Sequence, residues 1–248
     1  MTKFACFRLK VMHHQYLSRL SQPLREFVAH VEEQAGIAID VIQELRLNKG
    51  GPFGVGNLEI EIQAQRVQLF APTNGYFPDG AVRHEVLHVQ RFHLDGVPKL
   101  ALADAVDWDK SFSDALGQID NAIEHMVIVP IELELHPERR AHWEAVMANV
   151  CSNLHTVPDV ERSLAVCLHW PFMSRVFPDS QNFQLLRDYA SEFDLSDVAT
   201  SFSEQFLASS KEDQVGMLFE KFSDILPRER ASLEYVNSAT GTKQSPIP

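Results

Sequence analysis

The chain has 248 residues, 45% of them hydrophobic and 23% charged, with a formal net charge of −12. That is enough apolar matter for a substantial core. An acidic chain with scattered Lys and Arg excludes a general nucleic-acid binder, whose phosphate contacts need clustered cations. No apolar run reaches the roughly 20 residues that span a bilayer. Met1–Met12 carries Lys3, Arg8 and Lys10 where a signal peptide would be uninterruptedly apolar. Cys6, Cys151 and Cys167 form no CxxC pair. They read as buried, inert thiols in a reducing compartment. The expectation is a cytoplasmic protein with no membrane and no nucleic-acid partner.

In chain order, residues 14–35 repeat apolar positions at helical spacing (Leu17, Leu20, Leu24, Phe27, Val28, Val31), and Gly36 stops the pattern. A strand-like stretch over 37–47 ends in the turn-forming Asn48-Lys49-Gly50-Gly51-Pro52. Leu58, Ile60 and Ile62 alternate with polar residues, as do Val67, Leu69 and Ala71, predicting two short strands. A helix follows, with Asp79 as its expected N-cap and Asp95-Gly96 as its end. Residues 100–106 read as a strand or buried loop. A second helix is predicted over 111–128, broken or kinked at Pro130. From His142 to Tyr235 the pattern is helical, cut at Pro158, Pro171, Pro178 and Pro227. The organisation expected is an N-terminal helix (1–36), an α+β region (37–150), a helical C-terminal region (151–237) and a disordered tail (238–248).

The chemistry concentrates in His84-Glu85-Val86-Leu87-His88. Four residues apart on a helix, the two imidazoles lie on one face and can reach one ion. Zinc accepts imidazole nitrogens and keeps a position for water in catalytic sites. Glu85, beside the first ligand, is placed to deprotonate that water. A third ligand is needed. Glu124, in Asp120-Asn121-Ala122-Ile123-Glu124-His125 on the next predicted helix, is the best candidate, with Asp104 and Asp107 as competitors. Glu124 paired with Arg91 or His125 is the structural alternative. His125 could donate a hydrogen bond to the oxyanion of a transition state, or face away from Glu124 at about 100° around the helix.

Over residues 58–128 the pattern resembles the zincin metallopeptidases of the gluzincin type, in which a Glu on the following helix completes an HExxH site. The resemblance implies a zincin-like α+β fold with a small mixed sheet, zinc held by His84, His88 and Glu124, and Glu85 as general base. It implies peptide-bond hydrolysis on a protein or peptide substrate. It further implies that strand 66–71 offers an edge to the substrate backbone. Two features depart from the gluzincin pattern. The gap from His88 to Glu124 is longer, and Ile128 stands where a carboxylate would support the ligand, which leaves Asp120, one turn earlier, as the candidate to orient a ligand histidine. Arg91 and Leu94 exclude the metzincin variant, which wants Gly and His there. The runner-up reading is a non-catalytic regulatory or binding protein that keeps a zincin-like scaffold.

Overall fold

Leu24, Val28 and Val31 fall on one face of helix α1 (Gln22–Ala35) and are all buried. Gly36 ends the helix in the left-handed region, φ 67°, where a side chain would be strained. Glu32 then turns back, its carboxylate accepting from the Ile39 amide at 2.7 Å, which leads the chain into strand β1 (Ile39–Gln43). The computed structural model describes residues 15–104, 106–237 and 239–248. The readings of Met1–Met12, Cys6 and the start of the N-terminal helix lie outside them.

Among the described residues the chain is a mixed α and β protein with two small sheets, dividing into two compact units. The first unit takes described residues up to 96, with 132–142 and 236–241. Strands β2 (Glu59–Gln63) and β3 (Arg66–Ala71) form a hairpin, and β1 pairs parallel to β3, giving the order β1-β3-β2. Alternation turns Ile39, Val41, Ile62, Val67 and Leu69 into one core with the apolar face of α1. The expectation that strand 66–71 presents an edge is corrected here. β3 is central and its backbone is paired on both sides, so it has no free ladder to lend.

Helix α2 (Asp79–His93) follows β3 and adds Val82, Val86 and Val89 to that core. Asp79 is its first residue and not its N-cap; its carboxylate accepts from the Ser21 amide at 3.1 Å, at the start of α1. Helix α3 (Lys110–Leu135) runs through Pro130 without ending, against the expected break. A proline inside a helix costs about 3 kcal/mol. Complete burial of the apolar Ile128 and Val129 beside it offsets that loss.

The second unit holds residues 97–131, 143–235 and 242–248. Its helices are most of α3, then α4 (Arg140–Asn153), α5 (Arg162–Val176), α6 (Gln181–Glu192), α7 (Ser196–Ala208) and α8 (Lys211–Lys221). Pro171 lies inside α5, whereas Pro158 and Pro178 sit between helices and Pro227 follows the last of them. Trp143 and Trp170 are core residues; Trp108 is 75% exposed.

Two expectations for the C-terminus give way. Residues before Tyr235 form strand β5 (Ala231–Asn237) and not helix, and the stretch 238–248 contains strand β6 (Gly241–Pro246). With β4 (Lys99–Leu102) they make the sheet β4-β5-β6. The reason is local. The Asn237 side chain accepts from the Ala239 and Thr240 amides, and Gly241 adopts φ 89°, which closes a turn. Gln244 then donates to Leu102 O and accepts from Asp104 N, fastening the last strand.

Cys151 and Cys167 are free and buried, and burial pushes both thiols up to about 11. Neither should react with a thiol reagent at pH 8 in the native state, while both should label after denaturation. Alkylation followed by peptide mass spectrometry checks this; native labelling of either would overturn the assignment.

Candidate metal centre

On a helix that turns about 100° per residue, His84 and His88 point away from the Val82, Val86 and Val89 stripe that anchors α2. The core contacts therefore fix the rotation of the helix and, with it, the direction of the imidazoles. His84 is 6% exposed and His88 half-buried. Their rings meet edge to face, with Nε2 of one 3.3 Å from Nε2 of the other.

Glu132, fully buried in the last turns of α3, sets the state of His84. Its Oε2 lies 2.9 Å from His84 Nδ1, and its Oε1 accepts from Arg139 Nε at 2.6 Å. Burial alone would raise this carboxyl, but the hydrogen bonds and charges of His84 and Arg139 outweigh that and hold it below the ordinary range. An ionised carboxylate only accepts, so His84 carries its proton on Nδ1 and turns the lone pair of Nε2 toward His88. Two nitrogens each about 2.05 Å from one tetrahedral zinc stand about 3.3 Å apart. The observed Nε2–Nε2 spacing of 3.3 Å equals that separation.

Glu85 is half-buried beside His84. Burial pushes its carboxyl up to about 7; His84 and Arg139 pull it down, while Glu132 and Glu59 push it further up. Arg139 reaches Glu132 by crossing the start of α2: a Cβ on Gly80 would stand 2.6 Å from Arg139 Cγ. Its Nη1 donates to the Tyr76 hydroxyl at 3.3 Å. Arg83 Nε donates to His136 Nε2 at 3.1 Å. His142 is neutral at pH 7, since burial, then the Arg139 charge, lower it to about 4.

Glu124, expected as third ligand, is 4% exposed and paired with the Lys211 ammonium at 2.8 Å. Lys211 also reaches Asp120 at 2.9 Å, and Asp120 accepts from the Leu100 amide, tying α3 to β4. Glu124 and Asp120 are therefore engaged in an ionic cluster, and Asp120 does not support a ligand histidine. Asp104 and Asp107 are exposed and join no candidate group. Within the first unit, His84 and His88 bring two ring nitrogens together where one ion could be held. His125 stands seven residues before Glu132 on the unbroken α3, two turns earlier on the same side. Its ring packs edge to face on Trp143, centroids 4.9 Å apart.

Sequence reasoning missed Glu132, Arg139 and Tyr76. The signal for Glu132 was a carboxylate among Ile128, Val129 and Ile131, but it lay beyond Pro130, where the helix was expected to stop.

Glu132→Ala should destabilise the protein by about 3–5 kcal/mol, because it leaves Arg139 buried without its counter-charge. Gly80→Ala should cost about 1–3 kcal/mol by displacing Arg139. Urea unfolding measures both, and a wild-type midpoint for either variant would contradict this wiring. Compared with known proteins, the chain finds no match: no family model, no curated protein and no solved structure resembles it.

Proposed function

We propose that this protein is a zinc-dependent hydrolase of peptide bonds with a zincin-like centre. The carrying observation is the pair of imidazole nitrogens 3.3 Å apart, one of them held in its ligand tautomer by a buried carboxylate. Such second partners fix ring orientation and raise ligand basicity at metal centres. Imidazoles suit zinc, and both of these lie on the HExxH helix that follows strand β3.

In this reading His84 and His88 hold the ion, and Glu124, paired with Lys211, does not. A divalent cation there supplies acidified water and a polarised carbonyl. Glu85 takes the proton from the attacking water at its carboxylate and delivers it to the leaving amine. Its raised affinity for a proton matches it to that exchange near neutrality. Glu132 and Arg139 hold His84 in place and never touch the substrate.

No helix among the described residues is long and apolar enough to cross a membrane.

Purified wild type should contain zinc and cleave members of a peptide library. Glu85→Gln should keep the zinc and lose about 10²-fold or more in rate. His84→Ala and His88→Ala should lose zinc by elemental analysis, whereas Glu124→Gln should keep it. Equal cleavage by Glu85→Gln would remove the catalytic assignment, and full zinc in His84→Ala would remove the centre.

A further inference from the structure

Helices α7 and α8 are joined by Ser209-Ser210 alone and form a hairpin inside the second unit. Gln214 Nε2 donates to Phe206 O at 2.7 Å, and the Ser209 hydroxyl donates to Met217 Sδ at 3.6 Å, which fastens the hairpin at its turn. Between the two helices lies a cleft of about 580 Å³. Sites for small ligands run to roughly 300–1,000 Å³. The apolar part of its lining is Val198, Phe202 and Met217. The Phe202 ring meets those of Phe206 and Phe222, centroids 5.1 and 6.4 Å away, so this floor is fixed by packing.

Three charged side chains line the same cleft at the end away from the turn. Asp197 stands in the first turn of α7, and Glu220 and Lys221 in the last turn of α8. All three are exposed, and among the described residues none of them is held in an ion pair. The Lys221 ammonium lies instead over the Phe202 and Phe222 rings, 5.9 and 5.8 Å from their centroids. Glu220 is opposed by the helix dipole at a C-terminus, and Gly216 and Met217, one turn earlier, offer it no counter-charge. Helix stability does not account for a carboxylate there, whereas a cationic group on a ligand does.

The lining selects by charge and by length. A plain amine would meet Lys221, and a plain carboxylic acid would meet Asp197 and Glu220. A molecule with both charges on an apolar body satisfies all three and the floor. From Asp197 to Gln205, the α7 side of the cleft, a helix rises about 12 Å. That accommodates an extended dipeptide of about 7 Å and is too short to seat a partner helix. We infer that this cleft binds the zwitterion of an apolar amino acid or dipeptide. Its carboxylate pairs with Lys221, its ammonium with Asp197 and Glu220, and its side chain lies on Phe202 and Met217. The cleft belongs wholly to the second unit, and its ligand does not depend on the hydrolase reading.

Isothermal titration calorimetry on the full chain tests this, with Glu85→Gln as the parent so that no peptide is consumed. The ligands are phenylalanine, phenylalanyl-leucine, its N-acetyl form and its C-terminal amide. The free dipeptide should bind, and removing either end charge should weaken binding about tenfold or more. Phenylalanine binding as tightly as the dipeptide would assign the cleft to the amino acid; weaker binding would assign it to the dipeptide. Lys221→Gln should bring the free dipeptide to the level of its amide and leave the amide unchanged. Asp197→Asn combined with Glu220→Gln should bring it to the level of the N-acetyl form. These exposed substitutions should keep the parent's urea midpoint, and Glu204→Gln, an exposed carboxylate on α7 outside the cleft, should bind like the parent. Absence of binding by both free ligands overturns the inference. Capped peptides that bind as tightly as the free one, or undiminished affinity in the cleft variants, overturn it equally.

Discussion

A fully buried carboxylate with two partners is the constraint on which the rest of the centre depends. Taking the Glu132 charge out of water carries a penalty of several kcal/mol. It is offset only because Arg139 and His84 occupy both carboxylate oxygens. Each partner is in turn committed by this. Arg139 must lie across α2, and His84 must keep its proton on the nitrogen facing Glu132. One electrostatic necessity thereby selects a tautomer, orients a lone pair and fastens the end of α3 to the middle of α2.

Much of the scaffold was legible from periodicity. Leu24, Val28 and Val31 announce α1; Ile60 with Ile62, and Val67 with Leu69, announce the β2–β3 hairpin; the HExxH helix could be placed to within a residue or two. These are positions where one burial pattern decides one local structure. The parallel pairing of β1 with β3 was not legible, because strand order follows from how the faces stack and not from any one segment.

The misreadings share a cause: a local rule met a tertiary contribution larger than itself. Pro130 and Pro171 should each end a helix, and both lie inside one, where burial of neighbours outweighs the lost hydrogen bond. Asp79 has the chemistry of a cap but spends its carboxylate on the Ser21 amide. Glu124 has ligand chemistry, yet Lys211, 87 residues later in the chain, claims it. Spacing carries no record of a partner that distant. The strand Ala231–Asn237 is a different failure: Leu233 and Tyr235 alternate as a strand should, inside a region otherwise helical.

The close approach of Arg139 to Gly80 has a consequence for how this chain can vary. Gly80 has no left-handed φ, so nothing in its backbone demands glycine; the demand is imposed by a side chain from elsewhere. The two positions are therefore exchangeable only as a couple. Shortening residue 139 would release residue 80 to become an ordinary helix former, at the expense of the counter-charge on Glu132. Drift at either site alone meets a steric wall or an orphaned anion, so descendants of this sequence that relax one should be found to have rebuilt the other.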